Sequence, residues 1–201
     1  MTSLAPPAPR GRLQLVLLAL LFFGPLVLSY TLFFAFPDLR PDGQTNYGQL
    51  VSPARPLPAL QLRDEQGQPL EQPWPPGRWT YVHLAGAGCE GICLQRLILT
   101  RQTRLAMNEK RSRVQRVLLV DSAAAAATLK SQLQGEQPDL LVRVADEPVR
   151  GFFQPAPADA LYLLDPLGNW LMVYPAGREI PEDFKGLQKD LKKLLRLSQI
   201  G

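Results

Sequence analysis

The chain is short of the side chains that carry most enzymatic chemistry. Its 201 residues include one histidine, His83, and two cysteines, Cys89 and Cys93. There is no G-x-S-x-G elbow and no G-K-[ST] loop, so serine-triad hydrolysis and P-loop nucleotide binding have no support. Closed zinc sites draw on about four Cys or His ligands, more than this chain holds. Acidic residues are missing from the first 36 positions, where Arg10 and Arg12 are the only charged side chains. The rest carries all 18 acids and 20 of the 22 Lys and Arg, a balance of only +2. That is too weak a basic field to argue for nucleic-acid binding.

Charge is also missing from Leu13 to Phe36, "LQLVLLALLFFGPLVLSYTLFFAF". As a helix rising about 1.5 Å per residue this run would span roughly 36 Å, enough to cross a hydrocarbon core of about 30 Å. Gly24 and Pro25 are tolerated inside lipid-facing helices. A cleaved signal peptide has an apolar core of only about 7–15 residues before a small-x-small site. Here the run is longer and "LSYTLFFAFPDL" offers no such site. A retained anchor over 13–36 is the expectation. Arg10 and Arg12 before the span place residues 1–12 in the cytoplasm and the bulk of the chain outside. In a bacterium this means a single-pass inner-membrane protein with a periplasmic domain, where cysteine pairs can oxidise.

The sequence holds 20 prolines, about twice the usual frequency of roughly 5 %. Residues 37–58, "PDLRPDGQTNYGQLVSPARPLP", show little apolar periodicity and read as a semi-rigid tether. The domain proper is expected over 59–201. A short hairpin is predicted around Glu65-Gln66-Gly67, and strands over 79–86, 114–121 and 139–146. The cysteine segment opens a helix with Leu94, Leu97, Ile98 and Leu105 on one face. A second, alanine-rich helix follows Asp121-Ser122. Strands at 160–165 and 169–175 flank Pro166-Leu167-Gly168, a hairpin signal. The last helix carries an apolar stripe of Phe184, Leu187, Leu191, Leu194 and Leu195, and its lysines read as a solvated face. Strand–helix alternation closed by an antiparallel pair implies an α/β fold, a mixed sheet with flanking helices. That is the thioredoxin-like plan, whose reactive cysteines follow the first core strand.

Cys89 and Cys93 stand there, four positions apart. In a regular helix such a pair has Cβ atoms about 5–6 Å apart, whereas a disulfide needs roughly 3.5–4.5 Å. Cys89 is therefore expected in the loop and Cys93 inside the helix, with Gly86, Gly88 and Gly91 freeing the backbone. A thiol at a helix N-terminus is favoured as thiolate, the nucleophile of disulfide exchange and a ligand for Cu(I). Glu90 opposes that shift. His83, alone in an apolar strand, reads as a packed side chain with its polar tip satisfied.

The span, the proline-rich segment, "TYVHLAGAGCEGIC" and "ALYLLDPLGNWLMVYPAG" together resemble the Sco/SenC family of cytochrome c oxidase assembly proteins. The resemblance covers residues 45–200 and implies a role in oxidase biogenesis, with a client that is an oxidase subunit or another assembly factor. It also implies a copper ligand histidine shortly before the Tyr-Leu strand. Counted back from Gly168 without a gap, that position is Pro157. The chain thus looks like a relative without the usual copper site. The first reading is a dithiol–disulfide pair, with Cys89 the accessible attacking sulfur and Cys93 resolving. The second is a copper carrier using Cys89 and Cys93 as thiolate ligands. The third is a tethered interaction domain with a structural bridge.

Overall fold

The computed structural model describes residues 10–36, 45–58, 62–72, 76–154, 159–176 and 180–198. The chain divides between Gln44 and Thr45 into two units. The first contains helix α1, Arg10–Ala35, which is long and apolar enough to cross a membrane. Its leucines and phenylalanines are exposed on every side, as a lipid-facing helix requires.

The second unit is built on a six-stranded sheet. In chain order its elements are β1 (Gln49–Pro56), β2 (Trp79–Leu84), α2 (Ile92–Leu105), β3 (Val114–Val120), α3 (Ala123–Leu133), β4 (Leu140–Val144), α4 (Glu147–Phe152), β5 (Leu161–Leu164), β6 (Asn169–Tyr174) and α5 (Ile180–Leu197). The spatial order is β1-β6-β5-β2-β3-β4. Strands β2, β3 and β4 run parallel, while β5, β6 and β1 are joined by antiparallel ladders. This is the mixed thioredoxin-like sheet expected from the alternation. Two right-handed crossovers in one direction place α2 and α3 on the same face. There Leu97, Leu118, Val120, Ala126, Leu129 and Val142 form one buried cluster. Helix α5 covers the other half of that face with Leu187, Leu191 and Leu195 against Tyr81, Leu161, Leu163 and Met172. Each such side chain contributes about 1.5–3 kcal/mol when fully buried. The opposite face is closed by α4 and by Leu62, through Val82, Val117, Phe153, Tyr162 and Trp170.

Local signals explain several boundaries. The Ser122 side chain accepts the Ala125 N–H and caps α3. The β5–β6 hairpin turns at Asp165, whose Oδ1 accepts the N–H groups of Leu167 and Asn169, and Gly168 takes φ 87°. The predicted turn at Gly67 is present as well, with Arg63 bridged to Pro69 and also to Val144 at the sheet edge.

Three expectations are corrected. First, the stretch 37–58 is not tether throughout. Residues 37–44 lie outside the described residues, but Gln49–Pro56 is an edge strand on β6. Asp190 of α5 accepts the backbone N–H groups of Tyr47 at 3.0 Å and Gly48 at 2.8 Å, while the Tyr47 hydroxyl donates to Asp183. Gly186 is needed for this docking, since a Cβ there would stand 2.1 Å from the Tyr47 ring. Prolines and exposure on both faces hid the strand, because an edge strand keeps one ladder and buries little. Second, α2 does not bury Ile98 or Leu105, which are exposed; it buries Arg96, Leu97, Leu99, Thr100 and Thr103. Thr100 and Thr103 return their hydroxyls to carbonyls of their own helix, and Arg96 donates to carbonyls at the end of β6. Third, α4 was not foreseen; six residues capped by Asp146 make too short a run for periodicity to reveal.

Candidate functional site: the β2–α2 cysteine pair

Strand β2 continues one step past its last ladder pair, where the Ala85 N–H donates to the Leu119 carbonyl at 2.8 Å. The Ala85 carbonyl is taken by Arg150 of α4 at 2.6 Å, which fixes the root of the loop. The chain then leaves the sheet through exposed Gly86, Ala87 and Gly88. Of the loop glycines, Gly91 alone takes a left-handed conformation, φ 54°, and it caps α2 without any side-chain bond. The Cys93 N–H closes back on the Glu90 carbonyl at 3.1 Å. This tightened first turn brings the cysteines together as a disulfide with Cα atoms 5.2 Å apart. The distance lies inside the usual range of about 4.4–6.8 Å. Cys89 thus sits in the loop and Cys93 in the first turn of α2, as the spacing required.

Their exposure reverses the expectation. Cys89 is buried at 6 % and belongs to the apolar cluster of Ala85, Leu118, Val120 and Ala125. Cys93 is half-buried and lines a narrow crevice with His83, Arg96, Asp159 and Ala160. The reason is topological. The loop folds inward over Val120 of β3 and Ala125 of α3, carrying Cys89 into their cluster, while Cys93 in the first turn of α2 packs only against the edge of it.

His83 is buried and packed, as expected of a lone strand histidine. Its Nε2 lies 3.1 Å from the Thr100 Oγ1, whose own proton is directed to the carbonyls of Arg96 and Leu97. With the Thr100 proton on either carbonyl, the tautomer that completes the pair is the one with the proton on Nε2. Burial, then the positive charges of Arg116 and Arg96, hold the imidazole well below its ordinary pKa, so it is neutral. Arg96 stands three positions after Cys93, on the same face of α2. Its guanidinium donates to the Tyr174 carbonyl at 3.1 Å and the Pro175 carbonyl at 2.6 Å, tying the start of α2 to the end of β6. Sequence reasoning missed Arg96, although the i, i+3 spacing from Cys93 was there to be read. It also missed Asp159, whose left-handed φ of 57° has no sequence signal.

The two sulfurs are bonded to each other, and His83 Nε2 is committed to Thr100. Among the described residues, no group of three His, Cys, Asp or Glu is arranged to hold a metal ion. Pro157, the position that the resemblance marks for the histidine, lies outside the described residues.

A family model described as transmembrane-like, thioredoxin-like, C-terminal domain matches residues 79–198. The chain belongs to this family. The companion model, transmembrane-like, N-terminal domain, matches residues 6–34 of this family member and so covers α1. No curated protein matches it. Among solved structures, yeast Sco1 superposes with a TM-score of 0.54 at 17 % identity, over 78 % of this chain and 98 % of that one. Apo Sco1 from Thermus thermophilus gives 0.52 at 15 % identity, over 77 % and 99 %. A thioredoxin-like protein from Porphyromonas gingivalis gives 0.51 at 14 % identity, over 68 % and 92 %. At these identities the likeness is one of fold. It agrees with the Sco/SenC resemblance of the cysteine loop and the β5–β6 hairpin.

Proposed function

We propose that this family member is a membrane-anchored thiol–disulfide protein of respiratory cytochrome c oxidase biogenesis, whose Cys89–Cys93 pair cycles between dithiol and disulfide on the cysteines of a client. The client is an oxidase subunit or another assembly factor. One observation carries the redox part: the disulfide bridges the loop after β2 to the first turn of α2, where thioredoxin-like folds keep their exchange chemistry. A bridge closing so short a loop contributes only about 2 kcal/mol to stability, a weak reason for a chain with two cysteines to keep both there. The oxidase context is supported by the Sco-like motifs and by the fold shared with the Sco1 structures.

The test is the reduction potential of the full chain in detergent, read by thiol trapping after equilibration in glutathione and dithiothreitol buffers. The expected value lies above roughly −300 mV, below which structural disulfides tend to fall. A potential below that limit would leave a tethered interaction domain with a structural bridge. The reduced chain is also expected to release Cu(I) to a competing chelator on dialysis, because Cys89 and Cys93 lack the imidazole partner that the Sco/SenC resemblance implies for a copper site. Stoichiometric retention would turn the reading to copper as cargo on Cys89 and Cys93.

The sidedness belongs to the same proposal. Arg10 and Arg12 favour a cytoplasmic N-terminus and a periplasmic domain. Alkaline phosphatase fused after Gly201 should then be active in a bacterial host. An inactive fusion would put the cysteines in a reducing compartment and remove the oxidising half of the cycle.

A further inference from the structure

We infer that exchange with the client enters at Cys93, with Cys89 as the buried resolving sulfur. This rests on the redox reading above and adds a direction to it. Which sulfur of a disulfide an incoming thiolate attacks is decided by access as well as by leaving-group chemistry. Cys89, 6 % exposed, is buried in the cluster that holds Ala85, Leu118, Val120 and Ala125, while Cys93 packs on the edge of that cluster and stays half-buried, so an incoming thiolate meets less obstruction at Cys93. Cys93 opens on the crevice bordered by His83, Arg96 and Asp159. The surface around it is low. Gly86, Ala87, Gly88 and Gly91 present backbone rather than side chains, and Ile92 beside Cys93 is 46 % exposed, an apolar contact for a client segment. Arg96 serves as a positioning residue, since its bonds to the Tyr174 and Pro175 carbonyls hold the first turns of α2, and Cys93 with them, against the end of β6.

The step balances as follows. A client thiolate attacks the Sγ of Cys93, the Cys89–Cys93 bond breaks, and Cys89 departs with the electron pair and takes up a proton from solvent. A second client thiolate attacks the client sulfur of the mixed disulfide and releases Cys93 as thiolate. The client dithiol has lost two electrons to become a disulfide, and the pair has gained them. In the reducing direction the Cys93 thiolate attacks a client disulfide, and Cys89 attacks Cys93 of the mixed disulfide to free the client.

The experiment uses the full chain in detergent and glutathione as the probe. Reduced Cys89→Ser, which keeps Cys93, should form its mixed disulfide with oxidised glutathione at least about tenfold faster than reduced Cys93→Ser, which keeps Cys89. Both variants lack the bridge, so its loss does not bias the comparison. The wild-type chain supplies a second measurement that requires no substitution. The oxidised protein is exposed briefly to reduced glutathione, quenched in acid and mapped by peptide mass, and the adduct should be found on Cys93. Equal rates, a faster Cys93→Ser variant, or an adduct on Cys89 would overturn the entry through Cys93 while leaving the redox reading intact. If neither cysteine reacts until urea unfolds the chain, the redox reading fails and takes this inference with it.

Discussion

Replacing Arg116 with methionine should destabilise the second unit by about 3 kcal/mol, the lower end of the range for breaking a buried ion pair. Arg116 lies on β3, is fully buried, and has every arm of its guanidinium occupied. Nε and one Nη donate to the two carboxylate oxygens of Asp139 at 3.1 and 2.7 Å, and the other Nη donates to the Gln137 side chain at 2.8 Å and the Leu97 carbonyl at 2.9 Å. One residue thereby clamps α2, β3 and the entry to β4. Methionine fills similar volume, so the loss reports the polar network rather than a cavity. Asp139 is partly solvated, with 26 % of its side chain exposed, and keeps Arg104 at 3.4 Å, which is why the lower end applies. For a domain of this size the melting temperature should fall by roughly 6–12 °C. Burial alone would raise the Asp139 carboxyl, but the bonds from Arg116 outweigh it and hold the group below its usual value. A carboxylate lowered in the folded state stabilises above its unfolded pKa of about 4 and loses that contribution as pH falls further. The gap between wild type and Arg116→Met should therefore narrow below about pH 4. A loss under 1 kcal/mol, or a gap that widens in acid, would refute the clamp.

The clamp also marks where sequence reading stops. The span, the strand–helix alternation, the helix after Asp121-Ser122, the Pro166-Leu167-Gly168 hairpin and the stripe of α5 are local patterns, and each stands in the structure where its residues placed it. Arg96 and Arg116 are buried because carbonyls and carboxylates from distant segments converge on them, and no periodicity records that. The β1 strand is of the same kind, since its ladder partner lies more than a hundred residues away on β6. At the site, spacing sufficed to place Cys89 in the loop and Cys93 in the helix. It could not tell which of the two faces solvent. That depends on the loop closing over Val120 and Ala125, a contact set by the crossovers to β3 and α3.

Acidification from pH 7 to pH 5 should cost the second unit up to about 2 kcal/mol through His83. His83 is the chain's single histidine, so this window contains one side-chain titration with an ordinary pKa near 6.5. In the folded state the ring is buried, and that burial, then the guanidinium charges of Arg116 from β3 and Arg96 from α2, hold it neutral. At pH 7 the folded ring is unprotonated and the unfolded one only about a quarter protonated, so the cost is small. Below about 6.5 the unfolded chain takes up a proton that the folded one refuses, so stability falls with a slope approaching about 1.4 kcal/mol per pH unit. The melting temperature should drop by roughly 4–8 °C across the window. His83→Gln can still donate to Thr100 but cannot titrate, and its stability should be level from pH 7 to 5. A wild type that is equally stable at both ends, or a His83→Gln profile as steep as the wild type's, would show that the ring charges freely in the fold. The level profile would also bear on the chemistry next door. With His83 neutral beside Cys93, the positive charge at that crevice comes from Arg96, and exchange at Cys93 should carry no histidine limb in its pH dependence.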